Sequence, residues 1–135
     1  MSNNEHEKTK VSQSILIVRD NKILILQHKS GGWLLPGGRL NVKEKWLSGL
    51  LREIKEESSI KDVEIVNILE VDNWTHKNES HYGVFFHGVS ASDVVRLSDE
   101  HQDFAWVSKE EIKDYKFWNE ALQERIVRLV DKVLN

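Results

Sequence analysis

The 135-residue chain lacks several features that mark specialised classes of protein, and cysteine is the first of them. Without cysteine there is no disulfide, no thiolate zinc site and no cysteine nucleophile, so redox chemistry by the side chains is excluded. Apolar runs such as residues 15–18 and 23–26 are far shorter than the roughly 20 residues of a membrane-spanning helix. Residues 1–10 are polar and lack the apolar stretch of a secretory signal, so we expect a flexible N-terminal tail and a cytoplasmic protein.

An excess of positive charge is also absent. The chain has 19 Lys and Arg residues against 22 Asp and Glu residues, and its formal net charge is -3. Binding to long nucleic acids depends on clustered cations that neutralise phosphates, so we expect no nucleic-acid partner of that kind. The length fits a single domain, which we place at residues 11–135, with one active site. A small anionic substrate in that site would need an added cation.

Short apolar runs predict the strands of this domain. They indicate a hairpin over residues 11–28, with a polar turn at residues 19–22, because Ile, Leu and Val are concentrated on both sides of the turn. Further strands are predicted over residues 63–71, 81–89 and 103–107. The polar residues 72–80 and 90–102 between them are predicted to be connecting loops.

Helical periodicity appears in the centre and at the end of the chain. Over residues 45–57, apolar side chains recur at helical spacing and predict one buried stripe, formed by Leu47, Leu50, Leu51 and Ile54. A short helix over residues 108–115 and a longer one over residues 119–134 follow. Strands on both sides of a central helix indicate a layered α/β domain, while the strand order stays open.

Three glutamates on the central helix are the most informative residues. Glu53, Glu56 and Glu57 are spaced i, i+3 and i+4, so they share one helical face, which we place nearly opposite the apolar stripe. Crowded carboxylates repel one another, and divalent cations between them make the arrangement favourable. Carboxylate oxygens suit Mg²⁺ or Mn²⁺. By itself, however, such a face is more often a solvated helix surface.

The spacing from a preceding glycine loop favours the metal site. Gly38 is followed after five residues by Glu44, and after seven more by the run Arg-Glu-Ile-Lys-Glu-Glu-Ser-Ser-Ile at residues 52–60. This pattern resembles the Nudix box of the MutT-like hydrolases, a loop-helix-loop motif of about two dozen residues. The resemblance extends to residues 33–38 before the box and to residues 100–112 after it. Ser59 stands where the family has glycine, at a position expected just past the helix end in a left-handed conformation.

The resemblance implies a fold and a set of roles. The fold is a Nudix-type α/β/α sandwich with a mixed central sheet. Glu53, Glu56 and Glu57 would bind Mg²⁺, with Mn²⁺ as the alternative ion and a loop carbonyl at Gly37 or Gly38 as an additional ligand. Arg52 and Glu44 would support the site through a salt bridge that holds the helix against the loop. A homodimer is compatible with the family.

The implied reaction is hydrolysis of a diphosphate linkage in a nucleoside diphosphate derivative, for example a nucleoside triphosphate that releases pyrophosphate. The carboxylate that accepts the proton from the attacking water is left open between Glu53 and Glu100. A catalytically silent Nudix-like nucleotide-binding regulatory module is the alternative, motivated by Ser59. A purely structural domain with a solvated acidic face is the third interpretation.

Recognition of the rest of the substrate requires aromatic platforms and polar groups. The candidates for this role are Arg39, Trp74, Phe86 and Asn119. Each has a simpler explanation, because strand aromatics often pack in the core and Asn119 is placed to cap the last helix. His101, adjacent to Glu100, is expected to be exposed and inert.

Overall fold

Residues 5–135 are described by the structure, a computed structural model, in which seven strands form one mixed sheet flanked by two helices. The strands are β1 (Thr9–Arg19), β2 (Lys22–His28), β3 (Trp33–Leu34), β4 (Gly37–Arg39), β5 (Val63–His76), β6 (Glu79–Ser90) and β7 (His101–Val107). The helices are α1 (Trp46–Ser58) and α2 (Glu120–Val133), and a single 3₁₀ turn spans Ile112–Asp114.

The sheet has the order β3-β2-β1-β6-β5, with β4 paired to β1 and β7 paired to β2. Strands β1 and β6 run parallel and the other pairs are antiparallel, which confirms the predicted mixed sheet. Strand β4 pairs with the N-terminal half of β1, opposite residues 12–14, and β2 pairs with β1 only at its other end. The sheet therefore opens at this point and admits the short glycine strand.

Two of the β-hairpins turn through two residues with positive φ. These are Asp20 and Asn21 between β1 and β2, and Lys77 and Asn78 between β5 and β6. Such turns match the twist of the flanking strands. The predicted turn at residues 19–22 is confirmed, but the predicted loop at residues 72–80 is wrong, because the two-residue turn lets both strands continue almost to each other.

Two hydrophobic cores lie on opposite faces of the sheet and confirm the predicted α/β/α sandwich. Alternation along β1 sends Ile15 and Ile17 towards α1, where they pack in one cluster with Leu50 and Ile54. Leu16 points to the other face and packs in the cluster that contains α2 residues. Each helix thereby covers one face of the central strands.

Helix α1 differs in two ways from the predicted amphipathic pattern. Leu50 and Ile54 are fully buried, whereas Leu47 and Leu51 are 41% and 37% exposed, because they line an open groove between α1 and strand β5. Glu57 is 8% exposed, so the three carboxylates do not all point away from the core as predicted. Instead Glu57 lies at the boundary between the buried stripe and the glycine strand.

The chain ends and the connection after β7 also differ from the prediction. Strand β1 begins at Thr9, so the last two residues of the predicted tail belong to the sheet, and residues 1–4 lie outside the described part of the chain. The predicted helix over residues 108–115 is reduced to the 3₁₀ turn. Among the described residues, no helix has both the length and the apolar character needed to cross a membrane.

Candidate active site

The glycine strand β4 lies between β1 and helix α1. The backbone N–H of Gly37 donates a hydrogen bond of 2.8 Å to Glu57 Oε1, and Gly37 has a φ of +149°. A Cβ at Gly37 would lie 2.0 Å from the carbonyl oxygen of Gln13, and a Cβ at Gly38 would lie 2.5 Å from the carboxylate of Glu53. Only glycine allows the backbone to approach both the neighbouring strand and the two carboxylates this closely.

Glu44 and Arg52 form the predicted salt bridge between the loop and the helix. Arg52 donates from Nε to Glu44 Oε2 at 2.8 Å and from Nη2 to Glu44 Oε1 at 3.0 Å, which is a bidentate pairing. The backbone N–H of Asn41 donates a further bond of 3.0 Å to Glu44. The Arg52 hydrogen bonds, followed by that of Asn41, lower the pKa of Glu44 to about 2, so Glu44 is charged throughout the neutral range.

Arg52 also contacts two of the three helix carboxylates. Its Nη1 lies 2.7 Å from Glu53 Oε1 and 3.2 Å from Glu56 Oε2. Burial raises the pKa of Glu53, and the hydrogen bond from Arg52 only partly opposes this shift. The single positive charge of Arg52 is therefore shared among Glu44, Glu53 and Glu56, and it does not neutralise the negative charge of any two of them.

Glu57 is the most perturbed carboxylate of the site. Burial raises its pKa to about 8. The Gly37 N–H opposes the shift, while the charges of Glu53, Glu100 and Glu56 add to it. The donor set therefore fits a divalent cation, because several carboxylate oxygens face one another with too little positive charge between them.

Strand β7 brings Glu100 and His101 to these carboxylates. Glu57, Glu100 and His101 each offer one ligand atom within 4.8 Å of the other two. His101 is 6% exposed rather than exposed as expected, and its Nε2 lies 3.7 Å from Glu57 Oε2. Burial lowers the pKa of His101, and its Nδ1 has no hydrogen-bond partner among the described residues.

A register shift explains why the sequence does not reveal this position. Gln27 pairs with Asp103, but the next residue of β2, His28, pairs with His101, so Gln102 is the extra residue of a β-bulge. The bulge alters the simple alternation of side chains at the start of β7. Bulges of this kind are frequent beside active sites, where they redirect a side chain.

Phe86 and Asn119, two of the predicted substrate-binding residues, make structural contacts instead. Phe86 is 2% exposed and stacks on Trp46, with ring centroids 5.3 Å apart and planes at 5°. Asn119 caps α2, because its Oδ1 accepts a hydrogen bond of 2.8 Å from the Leu122 N–H. Trp46, the first residue of α1, therefore packs on a strand aromatic.

The other two predicted substrate residues lie near strand β6 and strand β4. Trp74 stacks on His81, with ring centroids 5.8 Å apart, so its contacts are within the β5–β6 hairpin. Arg39 is exposed at the end of β4, where its carbonyl oxygen is 3.4 Å from Arg52 Nη2. Neither arrangement brings its side chain into a direct contact with the carboxylates.

A different aromatic residue, Trp118, is linked to His101 through the ring of His28. The ring of His28 is 6.2 Å from that of His101 and 5.3 Å from that of Trp118, in both cases edge to face. Trp118 is 52% exposed and follows the 3₁₀ turn. The sequence contains no pattern that links these three residues, because they belong to β2, β7 and the segment before α2.

The sequence pattern of the NUDIX domain family matches residues 8–129. The chain belongs to the Nudix family. Its carboxylate helix and glycine strand therefore form the Nudix box that the sequence resembled, and the protein is a Nudix hydrolase.

Comparisons with individual proteins agree with this assignment. The nucleoside triphosphatase NudI of Escherichia coli O1:K1 is 31% identical over 99 residues, which span 63% of this chain and 67% of the relative. The crystal structure of a MutT protein from Methanosarcina mazei Go1 has a TM-score of 0.78 and 26% identity, and covers 96% of this chain and 98% of its own. An ADP-ribose pyrophosphatase from Streptococcus suis shares the fold, with a TM-score of 0.73, 20% identity, and coverage of 92% and 90%.

Proposed function

We propose that this Nudix hydrolase is a divalent-metal-dependent enzyme that hydrolyses a nucleoside triphosphate to a nucleoside monophosphate and pyrophosphate. One observation carries the proposal: the buried Glu57 faces Glu53 and Glu100 with a pKa raised to about 8. A centre with this excess of negative charge suits a substrate that arrives with a divalent cation. The similarity to a protein named nucleoside triphosphatase supports the choice of substrate class.

In this proposal, Glu53, Glu56 and Glu57 hold the metal, with the Gly37 carbonyl as an additional ligand. A bound divalent ion would neutralise charge on the diphosphate and lower the pKa of a water molecule. Arg52 keeps the carboxylates in place, because it joins Glu53 and Glu56 to the loop residue Glu44. The Gly37 N–H fixes the orientation of the Glu57 carboxylate.

Glu100 is our candidate for the group that accepts the proton from the attacking water. Glu53 is the competing candidate, but one of its oxygens already accepts a hydrogen bond from Arg52. Glu100 is exposed, lies close to Glu57 and forms no ion pair among the described residues. A carboxylate that is accessible and not engaged by a cation is better placed to take up a proton.

For the nucleoside, we propose that Trp118 provides the stacking surface. It is the exposed aromatic residue that connects, through His28, to the residues around Glu57. Base stacking on an aromatic side chain tolerates any base, so this contact by itself does not select one. Arg39 and Trp74 are retained as further proposed contacts.

The alternative function is nucleotide binding without catalysis. Ser59, which motivated this alternative, takes up the left-handed conformation with a φ of 65° and a ψ of 10° directly after α1. The helix that carries the three carboxylates thus ends at the expected position. The residues that we propose for metal binding and proton transfer are all present, and this favours the enzyme.

The test measures the release of monophosphate and pyrophosphate from a panel of nucleoside triphosphates, with and without Mg²⁺. We expect turnover that needs the metal and falls about 100-fold or more in Glu53→Gln, because loss of a ligand removes charge stabilisation. Glu64→Gln, which changes an exposed glutamate on β5, is the matched control and should behave like the wild type. Nucleotide binding with no turnover in any of the proteins would refute the enzyme and favour the regulatory module.

A Glu100→Gln variant separates the two candidates for the proton acceptor. If Glu100 accepts the proton, kcat falls while the Mg²⁺ concentration for half-maximal activity stays close to the wild-type value. Unchanged kcat in Glu100→Gln would exclude this role and return it to Glu53.

A further inference from the structure

His101 is a buried imidazole whose Nδ1 has no hydrogen-bond partner within residues 5–135. Its other nitrogen, Nε2, points to the carboxylate of Glu57 at 3.7 Å. This distance is too long for a hydrogen bond. Nε2 therefore also lacks a hydrogen-bond partner among the described residues, and a ligand on Nε2 would satisfy one of the two nitrogens of this buried ring.

The separation between these two atoms is close to that of two ligands on one ion. Ligand atoms that each lie about 2.1 Å from a metal are about 3 to 3.5 Å apart at tetrahedral or octahedral angles. The 3.7 Å between Nε2 and Oε2 exceeds this range only slightly. A small rotation of the Glu57 carboxylate would bring both atoms to one ion, and Glu100 offers a ligand atom within 4.8 Å of one on each of the two residues.

We propose that His101 Nε2 is a direct nitrogen ligand that shares one divalent ion with Glu57, and that it shifts the metal preference of the site from Mg²⁺ towards Mn²⁺ and Co²⁺. The inference rests on the proposed function, because it takes Glu57 as a metal ligand. Mg²⁺ prefers an all-oxygen environment, whereas first-row transition ions accept imidazole nitrogen and bind it more strongly. A single nitrogen in a carboxylate centre therefore discriminates between the two classes of ion.

The backbone around His101 holds the ring in the position that ligation requires. His101 is the first residue of β7, it pairs with His28 at the bulge, and its N–H bonds to the Ser98 carbonyl at 3.3 Å. The edge-to-face contact with the His28 ring limits its rotation. Nδ1 is buried, whereas Nε2 lies 3.7 Å from Glu57 Oε2, so Nε2 is the nitrogen available to the ion.

The decisive measurement is pulsed electron paramagnetic resonance of the protein loaded with Mn²⁺. A directly bound imidazole adds a ¹⁴N modulation to the Mn²⁺ echo, and selective ¹⁵N-histidine labelling changes its frequency. We expect this modulation in the wild type and in His28→Asn, which removes the nearest other imidazole. The modulation should be lost in His101→Asn. It should also be lost in His101→Phe, which fills the volume of the ring and serves as the second variant if asparagine destabilises the strand.

Calorimetric titration gives an independent readout on the same proteins. We expect His101→Asn to weaken Mn²⁺ binding about 10-fold and to change Mg²⁺ binding by less than about 3-fold, because only the transition ion gains from the nitrogen. Equal losses for both ions would overturn the proposal and indicate that His101 only positions Glu57. This comparison does not depend on turnover.

The outcomes distinguish this inference from the proposed function. Bound Mn²⁺ without histidine nitrogen coupling in the wild type, together with metal-dependent turnover, refutes the role of His101 and leaves the function intact. A wild-type protein that neither binds Mn²⁺ nor hydrolyses nucleotides with Mg²⁺ refutes both.

Discussion

Replacement of Ser59 by glycine tests whether the departure from the Nudix box affects folding or catalysis. Ser59 has a φ of 65° and lies directly after α1, a conformation that costs a residue with a Cβ about 1 to 2 kcal/mol. Its Oγ donates a hydrogen bond of 3.1 Å to the Arg96 carbonyl, which contributes about 0.5 to 1 kcal/mol. Glycine relieves the strain but loses the hydrogen bond. It also raises the conformational entropy of the unfolded chain, which destabilises the folded state by about 0.4 to 1 kcal/mol.

These contributions nearly cancel in Ser59→Gly but not in Ser59→Ala. The alanine variant keeps the strain and loses the hydrogen bond, so its free energy of unfolding should fall by about 0.5 to 1 kcal/mol. The glycine variant should stay within about 0.5 kcal/mol of the wild type, because the relieved strain offsets both losses. Glycine should therefore be more stable than alanine by roughly 0.5 to 1 kcal/mol, the reverse of their order inside a helix.

Urea unfolding of the three proteins measures this order, with equal m-values as the check that only stability has changed. In a domain of this size, a difference of 1 kcal/mol corresponds to roughly 3 to 6 °C in Tm. We expect kcat/KM to agree within about twofold, because the carboxylates precede Ser59 on the helix. An alanine variant at least as stable as the glycine variant would refute the left-handed conformation, and a large rise in activity in Ser59→Gly would show that serine impairs the site.

Three further predictions address the ion-pair network, the glycine strand and the substrate surface. Arg125 joins Glu70 and Asp72 and lies over Phe85, so Arg125→Met should cost about 1 to 2 kcal/mol at pH 7, measured by urea unfolding. Hydrogen bonds from the arginines lower the pKa of Glu70 and of Asp72. The ion pairs therefore stabilise the fold above the unfolded-state pKa values near 4, and this stabilisation is lost as the pH falls through the folded-state pKa values. A stability loss in Arg125→Met that is the same at pH 3 as at pH 7 would contradict this account. Gly38→Ala places a Cβ against the Glu53 carboxylate and should lower kcat/KM about 10- to 100-fold. Wild-type kinetics in this variant would show that β4 moves aside without disturbing the carboxylate. Trp118→Ala should raise KM about 10-fold with little change in kcat, whereas an equal effect of Trp74→Ala would remove the distinction between the two surfaces.

Local sequence features predicted a layered α/β domain, and the resemblance to the Nudix box implied the sandwich and the salt bridge that supports the site. The Glu44–Arg52 salt bridge, the left-handed Ser59 and the Asn119 cap each depend on residues close in sequence, so short-range spacing determines them. The turn at Asp20 and Asn21 was predictable for the same reason. Here local preference and the overall fold agree.

The burial of Glu57 and the position of His101 could not be predicted because both depend on distant segments. Helical periodicity placed Glu57 with the other carboxylates, but the Gly37 N–H from strand β4 draws it inward. The bulge opposite His28 is invisible in a single sequence, since it depends on how β7 aligns with β2. The stacking of Phe86 on Trp46 likewise depends on how β6 and α1 pack in the fold.

The same long-range contacts explain how the protein tolerates so much negative charge in one place. Glu44 and Glu53 come from the loop and helix, Glu57 is fixed by β4, and Glu100 arrives beside β7. Local contacts of Arg52 join Glu44 and Glu53, but Arg52 alone does not balance the whole group, as the raised pKa values of Glu53 and Glu57 indicate. The sheet and its two cores therefore hold the carboxylates close together, and such an undercompensated centre attracts a cation because the ion relieves the repulsion between them.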